Sequence, residues 1–400
     1  MTQPNTPTSG HVVIAGGGVA GLEALLALRA LTGDRVALTL VSQHDWFVDR
    51  PMTVAEPFGL GSPARLSLPE VTAELGADFV QGSVTSLDAS SRRLTCGDGR
   101  HVAFDTLILA LGAGARAPFT DAITFGLEGS REAFREMLDR LRSRDARSVS
   151  FVAPSMTGWL LPLYELALMT ARELVRSGVD GAQVRLLTPE DRPLALFGGR
   201  LSQDIGRLLG RAGVEFIQAS FAKAGSGLTY AALGQPSSDY VVTLPLLSGP
   251  ALAGVPRSEP NEFIPVDEYG RVTELPGVYA AGDAVDFPVK QGGLAAQQAD
   301  SVAEHVAASY GAEVEPAPFR PMLRGMLFTG EEPVYMRTGV PDVDPDVPGA
   351  WYPLWWPPTK VAGRFLGPYL SEHGDEAGFG APPVGFIDVD VPLAAITMPG

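Results

Sequence analysis

The sequence predicts an α/β protein of two three-layer units, each built on a mostly parallel sheet. Three observations predict it. Residues 11–15 (HVVIA) form an apolar run that ends in three glycines, and an Ala/Leu-rich stretch at 22–31 separates it from a second run at 36–41 (VALTLV). The same order returns at 148–153 (SVSFVA), 160–177 and 182–187 (AQVRLL). The chain has 400 residues, 45% of them hydrophobic, which is more than one average core holds. Strand, turn, helix and strand in that order make a βαβ unit, and a crossover through a helix leaves its two strands parallel.

The remaining elements follow in order. Residues 78–87 and 92–104 alternate enough to predict an antiparallel hairpin or meander that turns at Gly97-Asp98-Gly99. A buried strand is expected at 106–110 (TLILA) and a charged amphipathic helix at 131–144. Helices are expected over 201–212 and 293–308, and strands at 214–218, 240–244 and 277–281. Beyond residue 316 proline and aromatic residues become dense, and 341–348 reads as a turn-rich acidic linker. The polar first ten residues carry no basic or apolar targeting pattern, so a cytoplasmic protein with a disordered leader is expected.

Charge and composition exclude several functions. The formal net charge is −16 and the isoelectric point about 4.8, so phosphate backbones are repelled and nucleic acid is not expected as a partner. The mean hydropathy is +0.11, yet no apolar run reaches the ~18 residues of a membrane-spanning helix. The single cysteine, Cys96, allows no disulfide or redox pair within the chain. Five scattered histidines and one cysteine supply no zinc-ligand pattern, so no metal site is expected.

The chemistry starts at the first turn. Gly16, Gly18 and Gly21 fit GxGxxG between a strand and a helix. The first glycine permits the tight turn, the second lets a pyrophosphate approach the backbone, and the third allows the helix to pack closely on the strand. The helix N-terminus, with Val19 and Ala20 in its first turn, offers N–H groups and partial positive charge to the phosphates. Both βαβ units are therefore expected to be Rossmann-like; the bland alternative at this turn is a glycine loop without a ligand. No acidic residue closes the second strand, so Ser42 or Gln43 would hold a ribose through neutral hydrogen bonds, or Asp45 would reach back.

Three segments together resemble the FAD-dependent pyridine nucleotide-disulfide oxidoreductase superfamily, and look closest to its type II NADH dehydrogenase and sulfide:quinone oxidoreductase branch. They are the glycine turn continuing into Phe47-Val48-Asp49-Arg50-Pro51, the stretch FDTLILALGA at 104–113, and GVYAAGDA at 277–284. The resemblance covers residues 12–308, about three quarters of the chain. It implies a non-covalent FAD held by a discontinuous domain, residues 10–120 and 261–312, wrapped around a second Rossmann-like domain of the NAD(P) type at 121–260, with an irregular aromatic-rich C-terminal segment at 313–400. The cofactor-binding set it implies is Gly16, Gly18, Val19, Ala20, Gly21, Ser42, Gln43, Arg50, Pro51, Val84, Ala110, Leu111, Gly112, Gly282, Asp283, Lys290, Gln291, Gly292, Gly293 and Leu294. Asp283 would bond the ribityl chain, against the plainer reading of a helix cap. The helix start at Gln291–Leu294, with Lys290 beside it, would stabilise the negative charge of reduced flavin; the plainer reading of Lys290 is a surface lysine.

The second unit departs from the pattern. Its turn, APSMTGWLLP at 153–162, has one glycine, and Trp159 and Pro162 stand where a phosphate needs bare backbone, so NAD(P)H use is left open. Glu190 follows the next strand, where it would either hold an NAD ribose or sit as an ordinary turn carboxylate. Glu165 is the polar oddity of an apolar helix and a candidate catalytic carboxylate beside Lys290, or else a plain salt-bridge partner.

With no cysteine pair, electrons or hydride must pass directly at the flavin ring to small-molecule donors and acceptors. The C-terminal run WYPLWWPP at 351–358, followed by KVAGRFLGPYL at 360–370, reads as an apolar lid, a peripheral membrane or homodimer contact, or simply a segment packed on the body. Three functions follow: transfer to a quinone or other small apolar acceptor, NAD(P)H-dependent reduction of a small redox protein, and non-catalytic flavin binding.

Overall fold

The computed structural model describes residues 10–154, 158–219, 238–338 and 349–373. The leader, the 341–348 linker and Ser155, Met156 and Thr157 of the second turn lie outside the described residues.

The elements of the first half run β1 (Gly10–Ala15), α1 (Val19–Thr32), β2 (Val36–Ser42), β3 (Trp46–Val48), β4 (Arg65–Ser67), α2 (Leu68–Glu74), β5 (Asp78–Gln81), β6 (Val84–Asp88), β7 (Arg93–Cys96), β8 (His101–Ala103), β9 (Thr106–Leu109), β10 (Gly114–Arg116), β11 (Ile123–Thr124), α3 (Ser130–Arg142) and β12 (Ser148–Val152). Then follow α4 (Leu161–Arg176), β13 (Gln183–Thr188), α5 (Gly199–Ala212), β14 (Val214–Gln218), β15 (Tyr240–Thr243), β16 (Leu246–Ser248), β17 (Val278–Ala280), α6 (Gly292–Ser309), β18 (Arg324–Leu327), β19 (Val334–Arg337) and α7 (Leu366–His373).

Two five-stranded parallel sheets carry the fold, ordered β17-β9-β1-β2-β5 and β11-β15-β12-β13-β14. The first sheet is completed by β17 from beyond the second sheet, so this unit is discontinuous in sequence. Its three layers follow from the period-two alternation of β1. Val12 and Ile14 enter the core shared with α1 and α6, while Val13 and Ala15 face the meander β6-β7-β8 through Leu87, Leu94 and Cys96. An α/β fold with two Rossmann-like units, as expected, is the result.

One expected element is corrected. The strand predicted over 78–87 is two strands broken at Gly82 and Ser83. Asp78–Gln81 joins the parallel sheet, Asp78 opposite Thr39, and only β6 enters the meander. Only Gly82 and Ser83 separate the two strands in sequence, and β5 has no alternation of its own: Phe79 and Val80 pack on opposite faces of the sheet, with Asp78 and Gln81 exposed at its ends. The turn at Gly97-Asp98-Gly99 forms as expected, with Gly99 N donating to Cys96 O at 2.9 Å and Gly99 at φ +85°.

The C-terminal segment packs on the body between residues 355 and 370. Trp355 is buried against Tyr335 at 5.3 Å between rings, with its indole N–H on Thr359 O at 2.9 Å. Val361, Leu366 and Leu370 enter the core of α1 and α6. Glu23, fully buried in α1, accepts the N–H groups of Phe365 (2.7 Å) and Leu366 (2.8 Å) and so fastens the start of α7. Trp351 and Tyr352 remain exposed, at 56% and 68%.

Candidate active site

The glycine turn closes on steric necessity. Gly16 has φ +120°, and a Cβ there would lie 2.0 Å from Ala110 O; one on Gly21 would lie 1.8 Å from Gly16 O. Only glycine fits either position. Gly18 is different: a Cβ there meets nothing within 4 Å, and no side chain caps α1. The first turn of α1, through Val19 and Ala20, therefore starts at an open space beside the carboxyl ends of β1 and β9. In open α/β sheets that is where ligands lie. Ala110 N bonds Ala15 O at 2.7 Å, and Leu111 and Gly112 follow it to the same end, Gly112 at φ +70° with open space where a side chain would go.

The Gly-Asp turn reaches this place from the far end of the chain. Gly282 has φ +78°, a Cβ on it would lie 2.8 Å from Ala20 Cβ, and its N–H goes to Gln298 Oε1 at 2.7 Å. Asp283 follows, part-exposed and lining the crevice. It caps no helix, since Ala281 is the N-cap of the short turn that contains it. Among the described residues no group hydrogen-bonds its carboxyl. Burial raises its pKa, against the charges of Lys290 and Arg50.

At the start of α6 four predicted residues sort differently. Gln291 is the N-cap: Oε1 accepts Leu294 N at 2.8 Å, and Nε2 donates to Arg324 O at 3.2 Å. A Cβ on Gly292 would lie 3.1 Å from Val361 Cγ2, 3.7 Å from Pro51 Cγ and 4.0 Å from Val19 Cγ2. Pro51, the first turn of α1, the first turn of α6 and the C-terminal segment therefore converge here, with Gly293 and Leu294 buried behind. Arg50 is exposed at the same rim. Lys290 points inward: Nζ donates to Val285 O and lies 3.6 Å from the centre of the Phe263 ring. Burial lowers its pKa to about 8, opposed by Asp283 and Asp286.

Other predicted residues lie further out. Ser42 is buried, with Oγ accepting His44 N at 3.3 Å; a Cβ on Gly17 would lie 2.8 Å from that hydroxyl, which puts Ser42 at the turn, while Gln43 is exposed. Val84 pairs with Cys96 in the meander and packs under the first sheet with Ala15 and Val41. Cys96 itself is buried, which pushes its thiol pKa up.

Glu165 takes the salt-bridge reading. It is fully buried, Lys360 Nζ lies 2.6 and 2.7 Å from its two oxygens, and Phe328 N donates at 2.9 Å. Burial raises its pKa, against the pull of Lys360 and Phe328 N–H. The other cation of the 360–370 segment, Arg364, pairs with Glu304 at 2.8 Å. Glu190 is likewise turned to a protein partner, Tyr164, whose Oη lies 2.5 Å from Oε2. Gly158 abuts the first unit, since a Cβ there would lie 2.3 Å from Pro288 O, and the Trp159 ring lies tilted beside Phe197 at 6.0 Å. Sequence reasoning missed Glu23, Tyr164 as a polar partner, and Lys360 as the counter-ion of Glu165. Glu23 carried the signal that singled out Glu165, an acidic residue inside an apolar helix.

Two parallel α/β units, with a glycine turn and a Gly-Asp turn meeting at one crevice, define an FAD-dependent oxidoreductase of the two-dinucleotide class. The chain belongs to the pyridine nucleotide-disulphide oxidoreductase family, whose model matches residues 10–308. It is 27% identical over 327 residues to the ferredoxin reductase component of chlorobenzene dioxygenase from Cupriavidus sp. (strain PS12), covering 76% of this chain and 74% of that protein. It is 26% identical to the sulfide-quinone reductase of Aquifex aeolicus over 42% of this chain and 40% of that one. The crystal structure of the Aquifex aeolicus sulfide:quinone oxidoreductase superposes with a TM-score of 0.73 at 20% identity, covering 85% of each chain. NDH2 from Plasmodium falciparum in complex with NADH gives 0.64 at 13% identity, covering 82% of this chain and 92% of that one. Among the described residues no helix is long and apolar enough to cross a membrane.

Proposed function

We propose that this protein passes hydride or electrons through a non-covalent FAD to a quinone or another small apolar acceptor, without a redox disulfide. The observation that carries the reading is the convergence at Gly292, where Pro51, Val19 and Val361 bring apolar groups to the N-terminus of α6. FAD fits the residues present, because Gly18 leaves a cradle that a Cβ would fill and Asp283 offers a carboxyl with no described hydrogen-bond partner. Bound flavin supplies the two-electron chemistry. The residues supply the rest. The first turn of α1 would meet the pyrophosphate, Ser42 and Gln43 with Val84 would serve the adenosine side, and Ala110, Leu111 and Gly112 would flank the chain of the cofactor. Asp283 would bond the ribityl hydroxyls, Arg50 and Pro51 would pass the ring, and the α6 N-terminus at Gly292, Gly293 and Leu294 would lend its dipole to the negative charge of reduced flavin. Glu165 acts as a positioning residue that holds the C-terminal segment over the crevice through Lys360.

This proposal includes the domain boundaries at 120, 260 and 312, a cytoplasmic location, and small molecules as electron partners. The test is anaerobic. The reduced holoprotein should be reoxidised rapidly by a soluble short-chain quinone, and failure of every quinone tried to restore the flavin absorbance would sink the reading. The alternative, an NAD(P)H-dependent reductase of a small redox protein, is favoured by the 27% identity to a ferredoxin reductase component. Reoxidation by a ferredoxin and not by quinones would select it.

Lys290 gives a second measurement. Its ammonium, close to Asp283 along the crevice, favours the reduced anionic flavin. Lys290→Met is expected to lower the flavin midpoint potential by about 30 mV, equivalent to about 1.4 kcal/mol for a two-electron couple. Because the pKa of Lys290 is held down near 8, the wild-type protein loses this charge as pH rises through that value, so the gap to the variant narrows. Equal potentials at pH 6.5 would remove Lys290 from the site.

A further inference from the structure

The loop after β13 is folded shut on itself. In a parallel unit of this kind a dinucleotide lies across the carboxyl ends of the strands, and a carboxylate just beyond the second strand takes the ribose hydroxyls. β12 and β13 occupy those places, and Glu190 follows the end of β13 at Thr188. Its carboxylate is not presented outward. Tyr164 Oη donates to Oε2 at 2.5 Å, and Ala195 N donates to Oε1 at 3.2 Å. The same phenol oxygen accepts Leu194 N at 3.2 Å, and Glu190 N donates to Thr188 Oγ1 at 3.2 Å. Residues 190–195 are thus wrapped round one phenol. Leu194 takes a left-handed φ of +48°, which an L-residue adopts only under constraint. Tyr164 is fully buried in the first turn of α4, so its hydroxyl has no water to fall back on. An O–H···O⁻ bond of 2.5 Å belongs to the short, charge-assisted class.

We propose that Tyr164 is a specificity-determining residue of the second nucleotide site, which holds Glu190 away from the ribose and so keeps the affinity for NADH low. The inference depends on the place of Glu190 in the second sheet and is independent of the acceptor. For Glu190 to take a ribose it must exchange the Tyr164 hydroxyl and the Ala195 N–H for the two ribose hydroxyls. While the latch is closed, NADH binds without that carboxylate, and its affinity lacks what the released state would add. Tyr164→Phe removes the competing donor and keeps the ring that lies 6.5 Å from Phe216. The freed carboxylate then suits the 2′-hydroxyl of NADH and repels the 2′-phosphate of NADPH. A loop that merely loosened would change both nucleotides alike.

Calorimetric titration of the flavin-loaded protein with NADH and NADPH tests this. Tyr164→Phe is expected to bind NADH at least about tenfold tighter than wild type and NADPH no tighter. Glu190→Gln alone leaves NADH binding where it was, and the Glu190→Gln, Tyr164→Phe double variant loses the gain. Equal NADH affinity in wild type and Tyr164→Phe would overturn the proposal, as would equal tightening of both nucleotides. If Tyr164→Phe does not fold, the Glu190→Gln variant, in the loop after β13, decides. Unchanged NADH binding supports the latch, and tenfold weaker binding shows the carboxylate already on the ribose and overturns it.

Discussion

Gly18→Val is expected to yield a folded protein that purifies without flavin. The backbone at Gly18 has φ −89° and ψ −165°, an extended conformation that a β-branched residue adopts freely. Nothing in the protein lies within 4 Å of the added Cβ, so the apoprotein loses no packing. The isopropyl group stands instead where the backbone of α1 must meet a pyrophosphate. FAD affinity should fall at least about 100-fold, or about 2.8 kcal/mol. Gly16→Ala makes the contrast. At φ +120° and 2.0 Å from Ala110 O its Cβ has nowhere to go, so the fold itself should fail. Absorbance near about 450 nm reports the flavin, and thermal unfolding of the stripped proteins reports the fold. Gly18→Val protein that stays yellow with wild-type affinity would remove the glycine turn from the cofactor site.

The contrast also explains what the sequence made legible. Gly16, Gly18 and Gly21 were readable because a steric rule ties a residue type to a backbone geometry within six residues. Asp283 was readable because its strand and turn are local, although Gly282 before it abuts Ala20, far away in the chain. What escaped were polar pairings across the fold. Glu165 finds Lys360, Glu23 finds Phe365 and Leu366, and Glu190 finds Tyr164 across two secondary-structure elements. No periodicity encodes such a partner; only the rule that a buried carboxylate must have one does. That rule, applied evenly, would have singled out Glu23 in VAGLEALLAL as it singled out Glu165 in LPLYELAL. The edge strand β5 failed for a different reason: its four residues, with Phe79 and Val80 packed on opposite faces, make too short a run to be told apart from β6.

The buried pair makes the larger energetic prediction. Glu165 is inaccessible to solvent, and Lys360 is its only cationic partner among the described residues. Lys360→Met leaves a carboxylate in an apolar place with one N–H, from Phe328, and should destabilise the protein by about 3–5 kcal/mol. The sign of the pH dependence follows from the proton. Without Lys360 the carboxyl stays protonated in the fold while the unfolded chain ionises it. The folded state then binds more protons above the ordinary carboxylate pKa, and stability falls as pH rises from there. The Lys360→Met defect should therefore be larger at pH 8 than at pH 5. Glu165→Leu combined with Lys360→Met removes both charges and should recover most of the loss, short by about 1 kcal/mol for the orphaned Phe328 N–H. Thermal unfolding across pH gives the energies, and limited proteolysis within residues 349–373 shows whether the C-terminal segment lifts first. Because Val361 follows Lys360 and rests beside Gly292, lifting it uncovers the start of α6. If the single variant unfolded at the wild-type temperature with a flat pH profile, the ion pair would not be what holds the segment over the crevice, and the apolar contacts of Trp355, Leu366 and Leu370 would suffice.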